Sequence, residues 1–177
     1  MWTSLTSSHL DQDERGRPVP YINAWGKRGV RGRTTCGHDP NADGKLSLFL
    51  ADAKDEGPDF KQQNPQRQRE CFALGLCQVC ARTVELRDRY LIIAPRSVKY
   101  VDVGGVERLV IDEPWIDKQC AEFAMTYCPG LLRQGPDVRI EKAPPPGSYT
   151  TIFETRTGPE TREQPIVFYI KITIGGV

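Results

Sequence analysis

Cys77-Gln78-Val79-Cys80 is the stretch on which the fold turns. Two cysteines with two residues between them, set on a tight turn, aim two thiolates at one metal ion. The chain has six cysteines, so the other half of such a site has several sources. Cys120 and Cys128 are the first pair to consider. The residues between them read as helix, and eight residues at 1.5 Å rise place the two ends about 12 Å apart. Two ligands held about 2.3 Å from one ion cannot have Cα atoms so far apart. Asp117-Lys118-Gln119-Cys120 repeats the two-residue gap with a carboxylate in first place. Aspartate is a legitimate zinc ligand, though a less common one. The expected ligands are therefore Cys77, Cys80, Asp117 and Cys120, with Cys71 and Cys128 as alternates or core thiols. The expected metal is zinc in a structural role. A redox pair would sit at a helix start in a thioredoxin-like setting, which is missing.

Working outward, Asn64 is a good helix N-cap and Pro65 suits the first helical position. A short helix is expected from Pro65 to about Leu74, running into Cys77. A second helix is expected from about Trp115 to Tyr127, ended by Pro129-Gly130. Residues 46–51 read as a strand, 52–60 as a polar loop, and 84–94 as containing a strand. Residues 98–103 and 106–111 flank Gly104-Gly105, a strong hairpin signal. A second hairpin joins 149–155 to 165–175. In its last strand Ile166, Phe168, Ile170, Ile172 and Ile174 share a face under strict alternation. That strand is too apolar to stand alone and must pack on the body or extend a partner's sheet. The expected class is α+β: a small treble-clef-like zinc module with β-hairpins, two short helices and a C-terminal antiparallel hairpin. Residues 1–20 read as a flexible segment, 21–142 as the zinc-stabilised body, and 148–177 as the hairpin. Ala143-Pro144-Pro145-Pro146-Gly147 forms a stiff linker between the last two.

At 177 residues the chain is the size of one domain. Lys and Arg number 24 against 23 Asp and Glu, so charge alone argues for neither nucleic acid nor membrane. Gly 16 and Pro 14 imply a turn-rich fold with short elements. No secretory leader and no membrane-length apolar run is evident, so a cytoplasmic location with reduced thiols is expected. With only two histidines, His9 and His38, the common zinc-hydrolase and two-metal nuclease patterns are missing. No phosphate-binding glycine loop or Gly-x-Ser-x-Gly elbow occurs. The balance leans away from an enzyme.

Three stretches carry a resemblance. They are Asn64-Pro65-Gln66-Arg67-Gln68-Arg69-Glu70-Cys71 leading into Leu76-Cys77-Gln78-Val79-Cys80, then Pro20-Tyr21-Ile22-Asn23-Ala24-Trp25, and then Cys120-Ala121 through Cys128-Pro129-Gly130-Leu131. Over about residues 18–132 the chain resembles small Cys-x-x-Cys proteins of actinobacteria and their phages. The resemblance implies a phage or mobile-element origin. It also implies a metal ligand at the position of Asp117, where such proteins more often carry His or Cys. A more distant similarity is to HNH endonucleases, which open with an arginine before a Cys-x-x-Cys, as Arg69 and Cys77 to Cys80 do here. The segment from Arg82 to Arg96 contains no histidine, so the nuclease pair is missing and a treble clef kept for binding is implied.

These readings make the protein a non-enzymatic, zinc-stabilised binder of a host macromolecule. A host or phage protein is the favoured partner. The alternative is a nucleic-acid-binding module using Arg28, Arg31, Arg33, Arg67 and Arg69, the first three lying in a glycine-rich basic stretch beside Trp25. A third reading, a nucleotide-binding protein, needs a pocket lined by arginine and aromatic side chains. Asp39-Pro40-Asn41-Ala42-Asp43-Gly44 resembles the first half of a calcium loop, but Leu50 stands where the bidentate Glu belongs. Cys36-Gly37-His38 sets a thiol near an imidazole, on what reads as a loop.

Overall fold

The computed structural model describes residues 10–26, 33–95, 99–103, 105–157 and 164–174. In chain order the elements are β1 (Asn23–Trp25), β2 (Thr34–Asp39), β3 (Lys45–Leu50), β4 (Pro58–Gln63), α1 (Pro65–Leu74), β5 (Tyr90–Ile93) and β6 (Lys99–Val103). They continue with β7 (Val106–Ile111), α2 (Lys118–Tyr127), α3 (Pro129–Leu132), β8 (Arg139–Lys142), β9 (Tyr149–Arg156) and β10 (Ile166–Ile174). The class is α+β, dominated by strands and antiparallel hairpins.

Helix α1 forms where its end signals place it. The Asn64 carboxamide oxygen accepts from the N–H groups of Gln66 and Arg67, and Pro65 fills the first position. Gly75 ends the helix in the left-handed region at φ 67, where a side chain would also meet the Arg89 guanidinium. Helix α2 starts later than its apolar pattern suggests. Ile116 exchanges two backbone hydrogen bonds with Tyr90, which keeps Trp115 and Ile116 extended, and Asp117 becomes the N-cap. The expected polar loop over 52–60 is also shorter: from Pro58 the chain is a strand paired with β1. Proline is admissible there because it is the strand's first residue.

The main sheet has six strands, and β10 is its hub. β9 pairs along β10 from Ile166 to Ile174. β3 pairs with β10 in parallel at Val167, and β7 pairs antiparallel at Ile172–Ile174. β2 and β6 extend the sheet beyond β3 and β7. A strand held this way has no edge to offer, so β10 does not extend a partner's sheet. Its alternation is not strict either. A register shift between Val167 and Tyr169 buries both Ile166 and Val167.

Two apolar cores lie on either side of β5. Leu91 and Ile93 join Phe72, Ile111, Trp115, Ile170 and Ile172. Ile92 and Ala94 join Cys77, Val79, Val84, Ile116, Ala121 and Val138. Period-two alternation in a strand buried on both faces produces this division. Residues 10–20, loose by composition, form a closed turn: the N–H of Val19 donates to the carbonyl of Asp11, and Val19 is buried.

Candidate metal centre

The second core ends in a cluster of ligating groups. One ligand atom each from Cys77, Cys80, Asp117 and Cys120 lies within 4.8 Å of the other three, and among the described residues this is the group that could hold a metal ion. A tetrahedral ion with bonds of about 2.3 Å to sulfur and about 2.0 Å to oxygen sets S···O edges near 3.5 Å. Cys80 Sγ lies 3.4 Å from Asp117 Oδ2.

Each half of the cluster is shaped locally. An isolated antiparallel bridge between Leu76 and Thr83 closes a turn. Within it, the N–H of Cys77 donates to the Arg82 carbonyl at 2.8 Å, and the N–H of Ala81 donates to the Cys77 carbonyl at 2.9 Å. Ala81 takes φ 57, the left-handed region that glycine occupies more cheaply. The other half is the start of α2. Asp117 Oδ1 accepts the N–H of Cys120 at 2.9 Å, leaving Oδ2 facing the sulfurs. Gln78 ties the halves together. Its backbone N–H donates to the Trp115 carbonyl at 2.9 Å, and its side-chain amide donates to the Pro114 carbonyl at 3.1 Å. Backbone N–H groups of Arg82 and Asp117 also point at the Cys80 and Cys77 sulfurs.

The three thiols bias one another's ionisation. The Cys80 thiol is pulled far down by hydrogen bonds from Cys120 and Cys77. Cys120 is pushed far up by its hydrogen bonds with Cys77 and Cys80. A divalent ion bound among them would let all three sulfurs ionise. Arg82 supplies a partial substitute, with Nε 3.3 Å from Cys80 Sγ and a guanidinium nitrogen 4.0 Å from Asp117 Oδ2. Sequence reasoning assigns no role to Arg82 or Gln78. The cue was their position: one lies between the two cysteines, the other two residues beyond.

Cys71 and Cys128 lie outside the cluster. Cys71 is a buried core thiol whose pKa is raised, chiefly by burial. Cys128 closes the C-terminal end of α2, its N–H donating to the Ala124 carbonyl.

The arginines read as a phosphate surface are placed otherwise. Arg28 and Arg31 lie outside the described residues. Arg33 donates to the carbonyls of Ala51 and Trp25. Arg67 donates to the carbonyls of Tyr21 and Asn23 and to Asp52. Arg69 is a correction: its side chain is 0% exposed, so no phosphate can reach it. Trp25 is buried and cannot stack on a base. The half calcium loop is an Asx-capped turn entering β3. Asp39, its first ligand, turns inward to Arg69 at 2.6 Å and caps the Asn41 N–H at 2.8 Å. Cys36 and His38 sit on strand β2 rather than a loop, two residues apart, and so stand about 7 Å from each other along the strand.

A cleft of about 320 Å³ is lined by Tyr21, Asp52, Asn64, Gln66, Arg67 and Glu70, among others. Its polar groups satisfy one another. Tyr21 and Gln66 donate to the two Glu70 oxygens at 2.6 and 2.8 Å, and Arg67 pairs with Asp52. No helix among the described residues is long and apolar enough to cross a membrane. No family model matches this chain, and no curated protein or solved structure matches it either.

Proposed function

We propose that the protein is a zinc-stabilised binding protein without catalytic activity, built on a treble-clef-like layout in which a turn and a helix start share one ion. The observation that carries this reading is the convergence of three sulfurs and one carboxylate within 4.8 Å. Sulfur-rich four-ligand sets favour zinc, and a filled set leaves no coordination site reserved for substrate. The resemblance to small phage and actinobacterial proteins makes a host protein the partner we propose. The described arginines that turn inward, and the exposed apolar residues Tyr100, Val101 and Val106 on the β6–β7 hairpin, support a protein over a nucleic acid.

Native mass spectrometry of protein purified without chelator tests the metal. One zinc per chain, lost together with the fold on chelation, is expected. A folded, metal-free protein overturns the reading. Fluorescence anisotropy with labelled DNA and RNA at low salt tests the partner class, and no binding is expected. Binding that falls steeply with salt would favour the nucleic-acid alternative.

A further inference from the structure

The four ligand positions are not equivalent. Cys77 is fully buried among Val79, Val84 and Ile116, on the closed side of the cluster. Asp117 lies toward the open side, its side chain 22% exposed, next to an Arg82 side chain that is 53% exposed. Oδ1 of Asp117 accepts the Cys120 N–H, so Oδ2 is the oxygen that faces the sulfurs. That oxygen has a second cation within reach, the Arg82 guanidinium at 4.0 Å. A single oxygen among three thiolates is also the poorest match to a borderline-soft ion.

We propose that the fourth position of this centre is exchangeable, with Asp117 leaving the ion for Arg82 and an external thiolate taking its place. The inference rests on the zinc reading. In the exchange the metal–Oδ2 bond breaks and a metal–sulfur bond forms. The incoming thiol gives its proton to solvent, Asp117 stays ionised against Arg82, and the metal keeps its charge, so no oxidant or reductant is involved. Oδ1 remains on the Cys120 N–H throughout, so α2 keeps its cap while the ligand changes. The centre thereby becomes a docking point for a small thiol.

The test uses the full chain loaded with Co²⁺, whose visible bands report the donor set, titrated with 2-mercaptoethanol. The expected result is a saturable shift of the ligand-field bands to lower energy as oxygen gives way to sulfur. Native mass spectrometry should then show protein, one cobalt and one thiol together. Asp117→Cys, with its fourth thiolate already in place, should show no shift. Arg82→Ala, which removes the group that receives the carboxylate, should need about tenfold more thiol. An unchanged spectrum in the cobalt-loaded protein overturns the exchange while leaving the metal site intact. Stripping of cobalt without a ternary species overturns it too. Failure to take up cobalt at all sinks the zinc reading and this inference with it. Should Asp117→Cys not fold, the wild-type titration and the ternary mass still decide.

Discussion

The side-chain amide of Gln68 bonds to the backbone of Ile170 as a neighbouring strand would, 102 residues away in the chain. Its oxygen accepts the Ile170 N–H at 2.9 Å, and its nitrogen donates to the Ile170 carbonyl at 2.6 Å. Ile170 lies between the part of β10 paired with β3 and the part paired with β7, so its polar groups face a gap in the sheet. Gln68→Ala leaves both groups buried and unpaired. A loss of about 2–4 kcal/mol is expected in urea unfolding, more than a cavity of that size on the surface would cause. A loss below about 1 kcal/mol would mean that water fills the gap.

Arg69 continues the same repair. It donates to the Phe168 carbonyl on β10 at 2.9 Å, to the Leu48 carbonyl on β3 at 2.8 Å, and to the buried Asp39 carboxylate. Removing either charge alone strands the other. Arg69→Ala and Asp39→Ala are each expected to cost about 3–5 kcal/mol. The double variant should cost clearly less than their sum, which a double-mutant cycle reads directly.

On the zinc reading Asp117 has two roles, ligand and helix cap, that substitution can separate. Asp117→Ala removes ligand and cap together, whereas Asp117→Ser keeps a capping oxygen and loses the carboxylate. In zinc-loaded protein both variants lack the carboxylate, and Ser should unfold about 1 kcal/mol above Ala because it keeps the cap. In zinc-loaded protein, both variants should lose metal to a competing chelator faster than wild type. Cys128→Ala should retain metal normally. Loss of zinc from Cys128→Ala would overturn the ligand set.

Ala81 holds a conformation that costs an L-residue about 1 kcal/mol or more. Ala81→Gly relieves it but loosens the unfolded chain. A net effect between zero and about 1 kcal/mol of stabilisation is expected in thermal unfolding of the metal-loaded protein. Ala81→Val should destabilise, since β-branching suits this region least.

Burial first, and then the neighbouring Asp112 carboxylate, raises the Glu113 carboxyl from 4.5 to about 7. The folded state therefore holds a proton that the unfolded state has released. Stability from this group is complete below pH 4.5 and falls as pH rises toward about 7. The difference between Glu113→Gln and wild type, followed by urea unfolding from pH 4.5 to 8, should grow in favour of Gln across that window. The gain is at most about 3 kcal/mol. A flat difference would mean that Glu113 titrates normally.

Local chemistry made part of this molecule legible. Asn64-Pro65 and Gly75 bound a helix through interactions within a few residues, and Gly104-Gly105 marks a hairpin for the same reason. The candidate cluster was legible because helix rise separates Cys120 from Cys128 and Asp117 repeats the two-residue gap. The destinations of charged side chains were not. Arg67 and Arg69 read as surface cations, yet their partners Tyr21, Asp39, Asp52 and Phe168 lie far away in sequence. Nor does a short apolar run such as Leu91 to Ala94 reveal that it divides two cores. The parallel pairing of β3 with β10 has no local signature at all.

The position of β10 in the sheet sets an order of events during synthesis. The β2–β3 and β6–β7 hairpins and strand β9 all emerge before the strand that joins them. A nascent chain stopped short of residue 166 would present several unpaired strand edges and an uncovered Gln68 and Arg69. Such a chain is a substrate for chaperones and for self-association, so the half-made protein is the form most at risk in the cell.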